Sequence, residues 1–329
     1  MSYLIIFQVA NTHTHTQSSC KCNKIISYIY TSKILLNNLF DIKLVTHKDI
    51  PKNIDIFTYS FPCQDLSIQG KQNGMTKNSN TRSSLLWELE RIFKGIFSQN
   101  NFSQYLLPKY LLLENVKNIT GKNHIESYKK WLNFLKKLGY ESKTYILNAI
   151  NFGSPQNRER AFCLSILKAF KDKVNFVFPK LEDIKFAKKK LSDVLLPECD
   201  QDESLLLPSL SKYKLSNPTT SSNGIKKSTL ISYSKFNSES YVYYKNGIGP
   251  TLTASGANSR IKVILNEDIQ NPLIRKMSAM ESYMYMGFQK KDYENVKKCN
   301  LLTNEKIIYT AGNSISIQVL KEIFSRLVF

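Results

Sequence analysis

The sequence predicts an α/β protein in which a layered domain with a mostly parallel sheet is followed by a smaller, irregular domain that contains β structure. Short apolar runs alternate with longer amphipathic runs from about residue 23 to residue 178, which is typical of strand–helix–strand units. A long polar stretch begins near residue 179, and short apolar runs with Gly-rich turns follow it to about residue 271. We therefore divide the chain into an atypical segment 1–22, a first domain 23–178, a second domain 179–271 and a C-terminal segment 272–329 that returns to the first domain.

In the first domain, apolar runs of strand length alternate with runs of helical spacing. The run at 127–140 places Trp131, Phe134 and Leu135 on one stripe, and Gly139 is a typical helix stop. The predicted strands lie at 54–61, 109–116, 142–150 and 160–167, and a further predicted helix lies at 84–97. Beyond this domain, the sequence predicts β structure at 240–265 and helices at 273–288 and 314–329.

The chain is strongly basic, with 46 Lys and Arg against 26 Asp and Glu and a formal net charge of +20. This excess favours a polyanionic partner, and nucleic acid is the simplest one. An AT-rich coding sequence is an alternative source of the same composition, because Lys, Asn and Ile are all abundant. Charge alone therefore leaves nucleic-acid binding open.

The six cysteines are irregularly spaced and no signal peptide is evident, so we expect reduced thiols and a cytoplasmic protein. The apolar run in MSYLIIFQVA is too short for a membrane span. His13, His15, Cys20 and Cys22 form an H-x-H…C-x-C group of a kind that can bind zinc. The repeated His-Thr pairs are more typical of a low-complexity segment, and we predict no metal site.

Four side chains lie at the ends of predicted strands, where an open α/β sheet collects its functional groups. Cys63 follows the strand at 54–61, Glu114 lies near the end of the next predicted strand, and Arg158 and Arg160 lie between two strands. We expect them to meet in one crevice. Each also has an ordinary structural interpretation: a small buried thiol, a surface carboxylate, and two arginines on an exposed strand face.

Five motifs, in order, resemble those of the DNA (cytosine-5) methyltransferase family. FPCQDLS resembles its nucleophile loop, LLLENVKNI its ENV motif, GSPQNRERAF its QxRxR motif, IRKMSAMESYMYMGF its RxLTxxExxxxxGF helix, and AGNSIS its GNS motif. The resemblance runs from about residue 38 to the C-terminus, and residues 233–263 resemble the CpG-specific branch found in mollicutes. It implies a Rossmann-like methyltransferase sheet with a smaller target-recognition domain at 179–271.

The resemblance implies a reaction in which a methyl group passes from S-adenosylmethionine to C5 of a cytosine that is flipped out of the DNA duplex. Cys63 would add to C6 of the base as a thiolate and so make C5 nucleophilic. Glu114 would hold N3 and the exocyclic amine. Arg158 would contact O2 of the base or the adjacent phosphate, and Arg160 would orient Glu114.

The resemblance also implies two sets of binding residues. The expected cofactor contacts are Asp41, Ile42, Pro62, Leu85, Asn313 and Ser314. The expected DNA contacts are Gln64, Ser67, Gln69, Lys71, Glu239, Thr251, Thr253 and Ser255. Gln69 and Lys71 are candidates for filling the gap left by the flipped base, although a solvated loop explains them equally well, and Glu239 is a candidate acceptor for a cytosine N4 amine. The implied partner is double-stranded DNA, and the implied protein is a monomer that does not associate with a membrane. Whether a cognate restriction endonuclease exists is left open.

The N-terminus departs from the family pattern. Family members open with a strand that ends in a Phe-x-Gly-x-Gly turn, where glycines let the backbone approach the cofactor, but this chain has no glycine before Gly70. The run YLIIFQV is strand-like, and the sequence leaves open whether the sheet has its first βα unit. Two alternatives therefore remain: a truncated remnant that binds DNA but no cofactor, and a tRNA cytosine-5 methyltransferase with the same catalytic motifs.

Overall fold

The structure of the chain is a computed structural model. It describes residues 41–66, 74–77, 79, 81–99, 106–170, 176, 178–179, 186–235, 238–254, 261–266 and 268–327, and the backbone alone of residues 4–8, 171–173 and 237. The chain divides into two compact units. Unit 1 comprises Met1–Leu147, Glu159–Phe178 and Ser325–Phe329, and unit 2 comprises Asn148–Arg158 and Pro179–Phe324.

Unit 1 is built on a sheet with the strand order β1-β2-β3-β5-β4. Its strands are β1 (Leu4–Gln8), β2 (Ile56–Ser60), β3 (Tyr110–Val116), β4 (Tyr140–Asn148) and β5 (Glu159–Leu167). The α/β prediction is confirmed, and the strand-like N-terminal run forms β1, which pairs in parallel with β2. The parallel arrangement continues to β3 but not to β5, which runs antiparallel to β3. The link 149–158 between β4 and β5 is shorter than the dozen or more residues that a parallel crossover needs.

Two amphipathic helices, α1 (Leu86–Ser98) and α2 (Ile125–Lys137), contribute their apolar stripes to the core of unit 1. The ring of Phe93 in α1 packs edge-on against Phe57 of β2, with ring centroids 5.5 Å apart. Trp131 of α2 packs edge-on against Tyr59, and its indole N–H donates to the Tyr59 hydroxyl at 3.0 Å. The predicted stop is present, because Gly139 has a φ of 95°, which suits glycine. Both helices thus fix β2, the strand that leads into Cys63.

Unit 2 contains a second sheet with the strand order β10-β9-β8-β7-β6. Its strands are β6 (Thr219–Thr220), β7 (Lys226–Thr229), β8 (Tyr241–Tyr244), β9 (Lys262–Ile264) and β10 (Ile274–Lys276). Its helices in the described part of the chain are α3 (Asn237–Ser240), α4 (Ala279–Tyr285), α5 (Lys290–Lys298), α6 (Asn304–Asn313) and α7 (Ile317–Ser325). The predicted β structure at 240–265 is found in β8 and β9, which pair in parallel.

The prediction of one helix over 273–288 is wrong at its start. Residues 274–276 form β10, which pairs antiparallel with β9. The helix α4 begins only after Ser278, whose hydroxyl accepts a hydrogen bond from the amide of Glu281 at 3.1 Å. The Glu281 carboxylate in turn accepts from the amide of Ser278, which completes a capping box. A sequence pattern shows apolar spacing, but the pairing of β10 with a strand elsewhere in the chain overrides it.

Unit 2 encloses a buried ion pair between Arg275 and Glu281, whose side chains are both 0% exposed. The guanidinium donates to both carboxylate oxygens, at 2.9 and 2.8 Å, and its Nε donates to Asp200 at 2.7 Å. The Glu281 carboxylate also accepts the amide of Leu196 at 2.8 Å. This network joins β10, the start of α4 and the 3₁₀ turn around Asp200.

In the part of the chain that the structure describes, no helix is both long enough and apolar enough to cross a bilayer. The same residues contain no cluster of three or more His, Cys, Asp or Glu side chains arranged to hold a metal ion. The His13–Cys22 group lies outside the described residues. The functional division at residues 22, 178 and 271 stays a prediction, and residues 272–324 belong to unit 2 by their contacts.

Candidate active site

Cys63 lies just beyond the carboxyl end of β2, and its side chain is partly exposed. Strands β2 and β3 are parallel, with Tyr59 opposite Leu113. The next residue on each strand is Ser60 on β2 and Glu114 on β3. Ligands of open α/β sheets bind beyond the carboxyl ends of the strands. The thiol and the carboxylate are therefore presented at the same edge of unit 1.

Two side chains hold the backbone that leads into Cys63. The amide Nδ2 of Asn115, which is almost fully buried, donates to the carbonyl of Phe61 at 3.1 Å. The hydroxyl of Ser83 donates to the carbonyl of Pro62. These bonds come from different parts of unit 1, so the approach of the loop to the sheet edge does not depend on the proline ring alone. Asn115 of the ENV motif thus supports the backbone beside Cys63.

Arg160 faces Glu114 across the β3–β5 pair. The two strands are antiparallel, with Arg160 opposite Val116. The Nε atom of Arg160 lies 3.3 Å from Oε1 of Glu114, and the Ser60 hydroxyl donates to Oε2 at 3.4 Å. The Glu114 residue is 8% exposed, so its carboxylate has few water contacts and depends on these partners. The arrangement orients a buried carboxylate with one guanidinium and one hydroxyl.

Arg158 has a different environment from Arg160, although the two are separated by one residue. It is 4% exposed, and its Nη1 donates to the carbonyl of Leu252 at 2.8 Å. Its Nη2 donates to the carbonyls of Gly312 and Ser314, at 3.0 and 2.9 Å. Three backbone carbonyls of unit 2 therefore bind the group that the sequence assigned to the base or its phosphate.

The predicted cofactor residues fall in both units. In unit 1, Ile42 and Leu85 are buried in the core, and Asp41 is partly exposed. The guanidinium of Arg91 donates to the carbonyls of Ile42 and Val45, at 3.0 and 2.7 Å, and so holds the turn that starts at Asp41. The turn thus presents a carboxylate on a fixed backbone.

The remaining predicted cofactor residues are Pro62 in unit 1 and two residues of unit 2. Pro62 is partly exposed beside Cys63. Asn313, the last residue of α6, is exposed. Ser314 caps α6, and its hydroxyl donates to the carbonyl of Ala311 at 2.7 Å. Asn313 therefore offers an exposed side-chain amide at the surface of unit 2, whereas Ser314 serves the helix end.

Four of the predicted DNA contacts, Ser67, Gln69, Lys71 and Ser255, lie outside the described residues. Gln64 is exposed and accepts a hydrogen bond from Arg82 at 3.1 Å. Glu239 is partly buried, and its carboxylate accepts from the Ser234 hydroxyl at 2.7 Å.

Thr251 and Thr253, two further predicted DNA contacts, are both partly exposed. The hydroxyl of Thr251 donates to the carbonyl of Asn157 at 2.5 Å. That donor is therefore used within unit 2 rather than presented to a phosphate.

His124 is buried next to the nucleophile loop of unit 1. It is 1% exposed, and neither ring nitrogen has a hydrogen-bond partner among the described residues. Its Nδ1 would lie 3.7 Å from a Cβ at Gly74. Burial lowers the pKa of His124, and the nearby carbonyl of Leu66 opposes this only in part. The histidine is therefore held neutral beside the two residues, Leu66 and Gly74, that flank segment 67–73.

We expect this histidine to make the folded protein sensitive to acid. Below about pH 6.5 the unfolded chain takes up a proton on His124, whereas the folded chain with its lowered pKa does not, so the free energy of unfolding falls as pH falls. Urea unfolding near pH 7.5 and near pH 5.5 measures the fall. His124→Gln should reduce it, by at most about 1.4 kcal/mol per pH unit. An equal fall in both proteins would contradict the prediction.

Comparison with known proteins establishes the family. The family model for C-5 cytosine-specific DNA methylase matches residues 7–328. The chain belongs to the C-5 cytosine-specific DNA methylase family. This methyltransferase is 43% identical, over 290 residues, to the orphan methyltransferase M.SssI of Spiroplasma monobiae, a match that covers 88% of this chain and 69% of that one. It is 33% identical, over 299 residues, to the type II methyltransferase M2.ScrFI of Lactococcus lactis, covering 91% and 73%.

Solved structures agree with the fold of the methyltransferase. Dnmt2 of S. pombe superposes with a TM-score of 0.62 at 18% identity, covering 98% of this chain and 97% of that one. The Entamoeba histolytica methyltransferase EhMeth superposes with a TM-score of 0.59 at 18% identity, covering 99% and 98%. The Rossmann-like prediction is thereby confirmed for the fold.

Sequence reasoning missed two polar residues that organise the region. Ser83, which binds the Pro62 carbonyl, is fully buried, but its Ser-Ser context at the start of a helix gives no sign of that partner. Gln156 is the glutamine of the QxRxR motif, and the structure gives its side chain specific partners. Its carboxamide accepts the amide of Leu252 at 3.0 Å. The only sequence signal is a glutamine in an otherwise catalytic-looking motif.

Proposed function

We propose that the methyltransferase transfers the methyl group of S-adenosylmethionine to C5 of a flipped-out cytosine, at CpG sites of duplex DNA, through a covalent adduct with Cys63. The observation that carries this proposal is the placement of Cys63 just beyond the carboxyl end of β2 and of Glu114 near the carboxyl end of the adjacent parallel strand β3, with Arg160 paired to Glu114. This is the sheet edge where ligands bind in open α/β folds. A nucleophile and a buried carboxylate at one edge suit covalent addition to a polar heterocycle.

The chemistry follows from the properties of cytosine. C5 of the intact aromatic ring is a poor nucleophile. When the Cys63 thiolate bonds to C6, the C5–C6 double bond is lost and its electron pair becomes available at C5. When bound, S-adenosylmethionine would supply the methyl group from its sulfonium: the electron pair at C5 would form the new bond to the methyl carbon, and the sulfur would keep the pair of the bond that breaks. Loss of the C5 proton then re-forms the double bond and expels the thiolate. Glu114 holds N3 and the exocyclic amine, where charge develops during the attack.

Among the two arginines of the QxRxR motif, we assign the base contact to Arg160. Its guanidinium already lies beside Glu114 and its side chain is 17% exposed, so a base bound by Glu114 lies within its reach. Arg158 donates to three backbone carbonyls of unit 2. We therefore give Arg158 a supporting role in place of the O2 or phosphate contact.

The described residues include groups that suit the polar parts of S-adenosylmethionine. The Asp41 carboxylate stands on a turn fixed by Arg91 and can accept from an amine or a ribose hydroxyl. We propose that Asp41, the backbone of Ile42 and the ring of Pro62 hold the cofactor. Asn313 stays a predicted cofactor contact. The buried side chains of Ile42 and Leu85 serve the core of unit 1.

We propose that residues 179–271 recognise the DNA sequence, with Glu239 as acceptor for a cytosine N4 amine. The likeness of residues 233–263 to the CpG-specific mollicute branch and the 43% identity to a Spiroplasma methyltransferase support CpG as the site. Thr253 stays a candidate for a phosphate contact. A monomeric state and a cognate restriction endonuclease also stay predictions.

Transfer of a labelled methyl group to three substrates tests the proposed function. We expect label in a duplex with CpG sites, and none in a matched duplex with every CpG changed to GpC or in tRNA. Equal labelling of both duplexes would remove CpG specificity, and labelling of tRNA alone would favour the tRNA alternative. Calorimetry with S-adenosylhomocysteine separates the remnant alternative, which binds the duplex but not this cofactor product.

Glu114→Gln is expected to lower methyl transfer by a factor of about 10² to 10⁴, because the amide keeps the size of the side chain but not the charge that interacts with the base and Arg160. The matched control is Glu159→Gln. Glu159 is the first residue of β5, and its half-exposed carboxylate pairs with Lys117. The control change should leave the rate within about twofold. Equal losses in the two variants, measured as initial rates at saturating DNA, would contradict the role of Glu114.

A further inference from the structure

The segment Pro155–Arg158 lies along the recognition loop of unit 2, which we define as residues 249–254. The backbones meet first: the amide of Gly249 donates to the carbonyl of Pro155 at 2.8 Å, and the amide of Asn157 donates to the carbonyl of Gly249 at 2.9 Å. Gln156 and Gly249 thereby form a parallel bridge. The start of the loop is therefore in register with the QxRxR motif.

Two buried side chains continue this register to Leu252. The carboxamide oxygen of Gln156, which is 0% exposed, accepts the Leu252 amide at 3.0 Å. Arg158 donates to the Leu252 carbonyl at 2.8 Å. Both backbone groups of this one loop residue are thus bound by side chains of the motif. The hydroxyl of Tyr285 binds the carbonyl of Pro250 at 2.6 Å, so consecutive parts of the loop are held separately.

Arg158 also binds the GNS motif. Its second terminal nitrogen donates to the carbonyls of Gly312 and Ser314. The loop and the motif approach closely here, since a Cβ at Gly312 would lie 2.5 Å from the carbonyl oxygen of Thr253. One guanidinium therefore fixes the recognition loop and the segment that carries Asn313.

Joining two segments through a buried guanidinium that binds backbone carbonyls has a cost in desolvation free energy. Burial of a cation carries a desolvation cost that apolar packing between the same segments does not carry. A rigid fork with several donors does, however, fix the directions of several carbonyls at once. The chemical step proposed above does not use this group, so its value lies in the geometry that it sets.

We propose that Gln156 and Arg158 are positioning residues, that Gln156 sets the geometry of the recognition loop alone, and that Arg158 sets both the loop and the Gly312–Ser314 segment. The inference rests on the proposed function for its reading of the loop as a DNA contact and of Asn313 as a cofactor contact. It predicts that loss of Gln156 affects the KM for DNA alone and that loss of Arg158 affects the KM values for both DNA and cofactor, although one residue separates the two in sequence.

The variants are Gln156→Met, which keeps the length of the side chain without its hydrogen bonds, and Arg158→Lys, which keeps the charge without the fork. Gln156→Met should raise the KM for CpG duplex about tenfold and leave the KM for S-adenosylmethionine unchanged. Arg158→Lys should raise both constants about tenfold. In both, kcat should stay within about threefold. Gln289→Met, an exposed site of unit 2 outside residues 179–271, is the matched control and should change neither constant.

A uniform fall in kcat with both KM values unchanged would overturn the proposal. So would the same pattern of KM changes in the two variants, because only Arg158→Lys is expected to raise the KM for S-adenosylmethionine. Backbone hydrogen exchange supplies a readout that does not need catalysis. Peptides that contain Leu252 should exchange faster in Gln156→Met than in the wild type, and peptides that contain 312–314 should exchange faster only in Arg158→Lys. Unchanged exchange in both would also overturn it. If the wild type transfers no methyl group, the proposed function fails while the exchange experiment still decides the positioning roles.

Discussion

Cys63→Ser is expected to abolish methyl transfer, by a factor of at least about 10⁴, while the variant still binds duplex DNA. A serine hydroxyl ionises far less readily than a thiol, so the bond to C6 of cytosine does not form and C5 stays unreactive. The fold should tolerate the change, because Cys63 is partly exposed and the carbonyls beside it are held by Asn115 and Ser83. Initial rates with labelled S-adenosylmethionine and gel-shift titrations with the same duplex measure the two effects.

The matched control is Cys299→Ser. The Cys299 thiol donates to the carbonyl of Asn295 at 3.2 Å, a bond that a serine hydroxyl can replace, and its rate should stay within about twofold of the wild type. A covalent test is also available: a duplex with 5-fluorocytosine at the target should form a denaturation-resistant complex with the wild type and none with Cys63→Ser. Residual transfer by Cys63→Ser at a tenth of the wild-type rate would rule out the covalent role.

Arg275→Met is expected to be the most destabilising single change in unit 2, with a loss of about 3 to 5 kcal/mol in the free energy of unfolding. The change removes the cation from a pair whose side chains are both 0% exposed and leaves the Glu281 carboxylate buried without it. Asp200 loses a hydrogen bond at the same time. Urea unfolding followed by the fluorescence and circular dichroism of the purified proteins measures the loss.

Lys245→Met is the control for this measurement, because Lys245 pairs with Asp200 of the same network at 3.6 Å but is 46% exposed. Exposed ion pairs contribute little, so we expect a loss of no more than about 1 kcal/mol. Similar losses in the two variants would show that burial does not account for the contribution of the Arg275–Glu281 pair to the free energy of unfolding.

The elements that could be predicted are those whose signal is local in the chain. The apolar runs before Cys63 and Glu114 have the length of strands, and β2 and β3 occupy them. Helix α2 has its apolar residues on one stripe and a glycine at its end. Helix α5 was not predicted, because its sequence KKDYENVKK buries only Val296 and so has almost no apolar spacing.

The catalytic candidates could be named for a similar reason, because each lies in a short motif near the end of a predicted strand and the motifs follow one another in the family's order. The partners of Arg158 could not be named. They are carbonyls of residues 94 to 156 positions further along the chain, and any residue type carries a carbonyl. A guanidinium in a motif shows that a strong donor is present, but only the tertiary fold shows whether a substrate or the backbone accepts from it.

The split of unit 2 into Asn148–Arg158 and Pro179–Phe324 has a practical consequence for engineering. Chimaeras that exchange target specificity between relatives are most simply made by grafting one continuous stretch. A graft of residues 179–324 alone would seat a foreign loop on the recipient's own Gln156 and Arg158. Transplanting residues 148–158 with it keeps donor and acceptor from the same parent, and such two-piece grafts should therefore retain the donor's site preference better than one-piece grafts.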